Sequence, residues 1–256
     1  MSAPLETWIN GQRADLVPAA DRGLQYGDGL FETLLVRGRR PRFLELHLDR
    51  LIRGCERLGL SFESLQDLRE EIAAAASRAP ALAIIKILVT RGDSLRRGYA
   101  PQGGERARRI VSMFECEAPG WPAEGVDLHR TTICAADNPA LAGIKHLNRL
   151  ENVLAAREAR EAGAFEALMS GSDGRVVSGA MSNFFVVSRG ALITPLLDRA
   201  GVAGVMRAVV MRESDRLELA VMERPMAPAD VLGADEAFIT NARIGVVPLR
   251  RVGEHA

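Results

Sequence analysis

The amino-acid sequence predicts an α+β protein built in two halves. Short β-rich runs recur from end to end of its 256 residues. Between them stand a few segments whose apolar residues repeat with the 3.6-residue period of an amphipathic helix. Near the middle, Cys116–Glu124 (CEAPGWPAE) collects two prolines and a glycine, the composition of a linker. Residues 1–115 then form an N-terminal α/β domain, 116–124 the connection, and 125–256 a C-terminal domain.

In order along the chain, Trp8–Gln12 reads as a short strand and turn, and Arg13–Val17 as a second strand. Asp21–Gly29 (DRGLQYGDG) carries three glycines in seven residues and reads as a loop that approaches something closely. Leu30–Arg37 is a strand, turned by Gly38–Pro41. Leu44, His47, Leu48, Leu51, Ile52, Cys55 and Leu58 fall near one face of a helix over Leu44–Leu58. Leu65–Arg78, rich in Glu and Ala, makes a second helix. Leu82–Arg91 is a nearly continuous apolar strand interrupted by Lys86, a pattern that puts Lys86 at an edge or an interface. Gly92–Gly104 is a glycine- and arginine-rich loop, and Arg108–Glu115 another strand.

Beyond the linker, Val126–Cys134 reads as a strand and Asn148–Ala162 as a helix ended by Gly163. Ala167–Ser170 and Arg175–Val177 form a hairpin around Ser172-Asp173-Gly174. Phe184–Ser188 and Ala191–Thr194 pair around Arg189-Gly190. Val202–Leu219 is a helix behind a Gly201–Gly204 turn, and Ala237–Ile239 is a short strand leading into Thr240-Asn241.

Composition narrows the function. Apolar residues make up 47% and charged residues 26%, and 33 basic residues balance 33 acidic ones. That balance argues against a nucleic-acid binder and against a polybasic membrane anchor. No segment approaches the roughly 18 consecutive apolar residues of a membrane span. The N-terminus lacks a signal-peptide pattern, so a cytoplasmic location is expected. Cys55, Cys116 and Cys134 are odd in number and widely spaced, which reads as reduced thiols. The histidines form no ligand pattern, so no catalytic metal is expected. GxGxxG, GxxxxGK[ST] and GxSxG are all missing, which removes the common nucleotide-binding and serine-hydrolase readings.

Only two of the 33 basic residues are lysines, Lys86 and Lys145. A primary amine can lose its proton and attack a carbonyl, whereas a guanidinium practically never does. Lys145 follows small and apolar neighbours (Leu141–Ile144) just before a helix, surroundings that lower an amine's pKa by desolvation. A surface lysine beside a helix start is the competing reading. Gly201–Gly204 opens a helix, and such a start binds phosphate through its N–H groups. An ordinary glycine turn is the alternative there. Thr240-Asn241 adds hydroxyl and amide donors. Arg50 offers a bidentate phosphate contact or a solvated surface charge. Tyr26, Phe31 and Trp121 read as core aromatics.

Several blocks together resemble a known family. They are Asp21-Arg22-Gly23, Tyr26–Thr33 (YGDGLFET), His47–Leu51 (HLDRL), Arg96–Tyr99 (RRGY), Asn138–Glu151 (NPALAGIKHLNRLE), Ser182–Phe185 (SNFF) and Gly201–Arg207 (GVAGVMR). Their identity and order resemble the branched-chain aminotransferase-like enzymes of fold type IV, over nearly the whole chain. The resemblance implies a two-domain, D-amino acid aminotransferase-like fold with its active site between the domains. It also implies pyridoxal 5'-phosphate (PLP) as cofactor and a homodimer. Lys145 matches the lysine that carries PLP covalently, and Arg50 the arginine on its phosphate. Val202, Ala203, Thr240 and Asn241 match the other phosphate donors. Thr33 matches a threonine beside the lysine that assists elimination, while Arg97 and Tyr26 fall on the substrate side. Within the family the resemblance is strongest to its lyases. It therefore implies elimination of pyruvate from 4-amino-4-deoxychorismate to give 4-aminobenzoate, a folate precursor.

One position departs from the pattern. Members of the family carry Glu-Gly-x-x-x-Asn, whose glutamate pairs with the pyridine nitrogen, and here Ser178 stands in its place before Gly179 and Asn183. A hydroxyl reaches the ring nitrogen but cannot stabilise a pyridinium by charge. A lyase tolerates that loss better than an aminotransferase, because its product ring becomes aromatic. The alternatives are a D-amino acid or branched-chain aminotransferase, or a PLP-binding protein with reduced or no catalytic activity.

Overall fold

In the N-terminal half, alternating apolar residues become an antiparallel sheet. The computed structural model describes residues 3–62, 65–94 and 96–253. The first sheet contains β1 (Glu6–Ile9), β2 (Gln12–Arg13), β3 (Gly29–Arg37), β4 (Arg40–Pro41), β5 (Leu82–Thr90) and β6 (Arg108–Glu115). Their spatial order is β2-β1-β6-β5-β3-β4. α1 (Arg22–Tyr26), α2 (Leu44–Leu58) and α3 (Leu65–Arg78) complete this half.

β3 shows the two-residue period of a strand with two unlike faces. Leu30, Glu32, Leu34 and Val36 are buried, while Phe31, Thr33 and Leu35 stay partly open. The buried row faces α2, whose His47 and Arg50 reach Glu32. α2 itself buries Leu48, Leu51 and Cys55, none more than 3% exposed. Side chains of that size are worth roughly 1.5–3 kcal/mol each when fully buried. The open row leaves Thr33 opposite Lys86 of β5 in the strand register.

The second sheet is mixed. It contains β7 (Val126–Arg130), β8 (Glu166–Ser170), β9 (Val176–Gly179), β10 (Asn183–Ser188), β11 (Ala191–Pro195), β12 (Val221–Arg224), β13 (Glu236–Asn241) and β14 (Gly245–Val252). The order is β12-β11-β10-β13-β14-β7-β8-β9, with parallel pairs β11/β12, β14/β7 and β7/β8. α4 (Leu150–Glu161), α5 (Val205–Arg216) and α6 (Pro228–Leu232) belong with it. Phe184, Val186, Met226, Ile239 and Val247 form one core cluster, against which Trp121 packs. Ala155 and Ala159 of α4 meet Ala167 and Met169 of β8 in another.

The chain divides into two compact units, residues 1–118 with 144–148, and 119–143 with 149–256. The expected boundary assigned Ile144–Asn148 to the C-terminal half. Main-chain pairing decides otherwise: Phe31 N–H donates to Lys145 O and Leu147 N–H donates to Gly29 O, each at 3.0 Å.

Other expectations need correction. The Asp21–Gly29 run is not all loop, because Asp21 caps α1 by accepting from Gly23 N and Leu24 N, and Gly27 ends it. The strand expected over Arg13–Val17 stops at Arg13. That expected over Val126–Cys134 stops at Arg130, where Thr131 and Thr132 turn to Glu158 instead. The helix expected from Val202 begins at Val205. Lys86 is not at an edge, since β5 lies between β3 and β6. Phe31 is only partly buried. β4, β12, α6 and β14 were not foreseen.

Candidate active site

Lys145 is positioned by the backbone of β3. The Phe31–Lys145 hydrogen bond and a bridge between Leu30 and His146 dock Ile144–Asn148 beside the start of that strand. The side chain is half-buried. Its Nζ lies 4.2 Å from the centroid of the Phe31 ring, and the Lys86 Nζ lies 5.7 Å from the same centroid. Phe31 and Thr33 are two residues apart and so share a face of β3. The two lysines of the chain therefore meet on the sheet face that carries the Thr33 hydroxyl. Lys86 escaped the sequence reading as a site residue, and its rarity was the one signal that pointed to it.

Arg50 lies on the other face. Its Nε donates to Glu32 Oε1 at 2.8 Å and its Nη2 to Oε2 at 2.5 Å, while His47 Nδ1 sits 2.6 Å from Oε2. All three residues are buried. Burial alone would raise the Glu32 carboxyl, but the charge of Arg50 and the bonds from His47 and Arg50 outweigh it. The carboxyl is held below its ordinary range. Arg50 is thus a guanidinium that Glu32 fixes through Nε and Nη2.

Arg97 is exposed in the loop after β5. What holds that loop is Arg22, which donates to Gly98 O at 3.3 Å and Tyr99 O at 2.5 Å. Arg22 also donates to Asp28 Oδ2 at 2.8 Å, and Arg91 donates to the same oxygen at 2.8 Å. Burial works against the Asp28 charge, yet Arg91 and Arg22 hold its carboxyl below the usual value. Tyr26 meets Tyr99 edge to face, with centroids 5.4 Å apart. Tyr26 is therefore a loop contact rather than a core aromatic.

In the second unit, Asn183 and Thr240 are register partners in β10 and β13. Thr240 is fully buried, and its hydroxyl oxygen has no hydrogen-bond partner. Asn241 Nδ2 donates to Met181 O at 3.3 Å, and Asn183 Nδ2 donates to Val202 O at 2.8 Å. Ala203 N–H donates to Gly143 O at 2.9 Å, so this donor is already engaged within the chain. α5 starts at Val205 with no side chain capping it, which leaves the N–H groups of its first turn to other acceptors. An orphaned buried hydroxyl beside an uncapped helix start suits an anion such as a phosphate monoester. Ser178 is buried, and its hydroxyl donates to Gly179 O at 2.9 Å. Among the described residues no cluster of three or more His, Cys, Asp or Glu is placed to hold a metal ion.

Residues 29–252 match the model of the amino-transferase class IV family, and the chain belongs to that family. It is an enzyme of fold type IV, and the family's cofactor is PLP. Aminodeoxychorismate lyase of Vibrio harveyi is 32% identical over 244 residues, 94% of this chain and 89% of that protein. The crystal structure of 4-amino-4-deoxychorismate lyase from Pseudomonas aeruginosa is 42% identical with a TM-score of 0.91. That match covers 98% of this chain and 92% of that one. D-alanine aminotransferase of Bacillus licheniformis is 29% identical over 246 residues, 92% of this chain and 83% of that protein.

Proposed function

We propose that this enzyme is a PLP-dependent lyase that eliminates pyruvate from 4-amino-4-deoxychorismate to give 4-aminobenzoate. The observation that carries the reading is the amine of Lys145 over Phe31, on the sheet face that bears Thr33. The lyase relatives supply the substrate, and they match more closely than the aminotransferase of Bacillus licheniformis.

In this proposal Lys145 would carry the cofactor, and its phosphate would be held by Arg50, Val202, Thr240, Asn241 and the first turn of α5, with Ser178 at the ring nitrogen; Ala203, whose N–H is taken by Gly143 O, is left out. Bound PLP supplies an electron sink at the carbon that bears the substrate's amine. Lys145 Nζ takes the proton from that carbon, as a general base. The Thr33 hydroxyl guides a proton to the enolpyruvyl group as it departs. Arg97, Tyr26 and Lys86 face the substrate, and the two cations are suited to its carboxylates. Aromatisation makes the step downhill, so Ser178 need not supply the charge that an aminotransferase requires. The resemblance extends the proposal to a homodimer, which light scattering reads directly, and to a cytoplasmic location.

The test couples the purified protein to aminodeoxychorismate synthase with chorismate and glutamine. The expected result is 4-aminobenzoate fluorescence with stoichiometric pyruvate. Transamination of D-alanine or L-leucine with 2-oxoglutarate and no aminobenzoate would overturn the proposal in favour of an aminotransferase. Retention of PLP with neither activity would mark a binding protein.

A further inference from the structure

Glu166, at the start of β8, is 2% exposed. The groups that donate to it come from one turn between β9 and β10. Met181 N–H donates to Oε1, and Ser182 Oγ donates to Oε2 at 2.9 Å. No arginine, lysine or histidine is among these partners, and burial raises the carboxyl above its ordinary value. Glu166 thereby ties the turn to the start of β8.

The turn leads to the backbone proposed above to hold the phosphate. Met181 O accepts from Asn241 Nδ2, next to the orphaned Thr240 hydroxyl. Asn183, at the end of the turn, donates to Val202 O. Two glycines permit the packing. A Cβ on Gly179 would lie 2.5 Å from Glu166 Oε1 and 2.3 Å from Ser182 Oγ. One on Gly204 would lie 1.9 Å from Asn183 Oδ1.

We propose that Glu166 is a positioning residue for the phosphate end of the cofactor, acting by fixing the Gly179–Asn183 turn that holds Asn241 and Val202. The inference rests on the PLP reading above and assigns to Glu166 no contact with the cofactor itself. Glu166→Gln keeps the shape but turns one acceptor into a donor facing donors, which unsettles the turn.

The experiment titrates cofactor-free wild type, Glu166→Gln and Ser182→Ala with PLP and with pyridoxal, which lacks the phosphate. Circular dichroism establishes that each variant is folded. PLP affinity should fall about tenfold in Glu166→Gln, the scale of one lost buried acceptor, with pyridoxal affinity within about twofold of wild type. Ser182→Ala should lower the PLP-to-pyridoxal ratio in the same direction by a smaller factor. An unchanged ratio in either folded variant overturns the inference, because a merely structural carboxylate would affect both compounds alike. If Glu166→Gln does not fold, Ser182→Ala decides alone. Wild type that binds neither compound would instead overturn the PLP reading.

Discussion

The Nζ of Lys145 stands 4.2 Å from the ring centroid of Phe31, and hydrogen bonding between the two backbones fixes that approach. Lys145→Ala should therefore remove both cofactor attachment and the general base. Turnover should fall by at least ~10²–10⁴-fold with the fold intact. Lys145→Arg should fail equally, since a guanidinium does not deprotonate. Phe31→Leu removes the ring but keeps the amine, and should cost about tenfold or less in turnover. Aminobenzoate fluorescence alongside circular dichroism measures all three.

Glu32 makes the enzyme sensitive to acid. Its folded pKa lies below the unfolded value of about 4.3. The stability it contributes is present above that value and is lost as pH falls through the folded pKa. Thermal melts of wild type should show this loss on acidification, and Glu32→Gln should flatten it. At pH 7 the substitution strands Arg50 and His47 and should cost about 3–5 kcal/mol, the scale of breaking a buried pair.

Ser178→Glu tests the weakened electron sink. The added carboxylate should raise transamination of amino acids more than it raises aminobenzoate formation. Assaying both activities on one preparation reads the ratio, and no gain in transamination would refute the argument from charge.

Arg22 holds the loop that carries Arg97 through Gly98 O and Tyr99 O. Arg22→Lys cannot reproduce that fork. KM for aminodeoxychorismate should rise severalfold with kcat little changed, and steady-state kinetics separates the two. A fall confined to kcat would remove the loop from substrate binding.

Much of the fold was legible where the pattern was local. α2 follows from the period of its own side chains, β3 from its β-rich run and α3 from its Glu and Ala content, and β6 keeps the bounds read from sequence. α1 was hidden because five residues in a glycine-rich run show no period, and the signal was Asp21 as a cap. β14 was missed because Pro248, Arg250 and Arg251 break its alternation. The site divides in the same way. Lys145 stands out as one of two lysines in an arginine-rich chain. Lys86 reaches the same ring only through the register of β3 with β5, strands far apart in sequence. Glu166 meets Met181 and Ser182 only after β8 and β9 have paired, and nothing local announces that burial.

The measurement closest to the central claim is borohydride reduction of the PLP-loaded protein, followed by digestion and mass spectrometry. With only Lys86 and Lys145 in the chain, the assignment is unambiguous. The expected result is a phosphopyridoxyl mass on the peptide that contains Lys145. Label on Lys86 alone, or on neither lysine, would contradict the account.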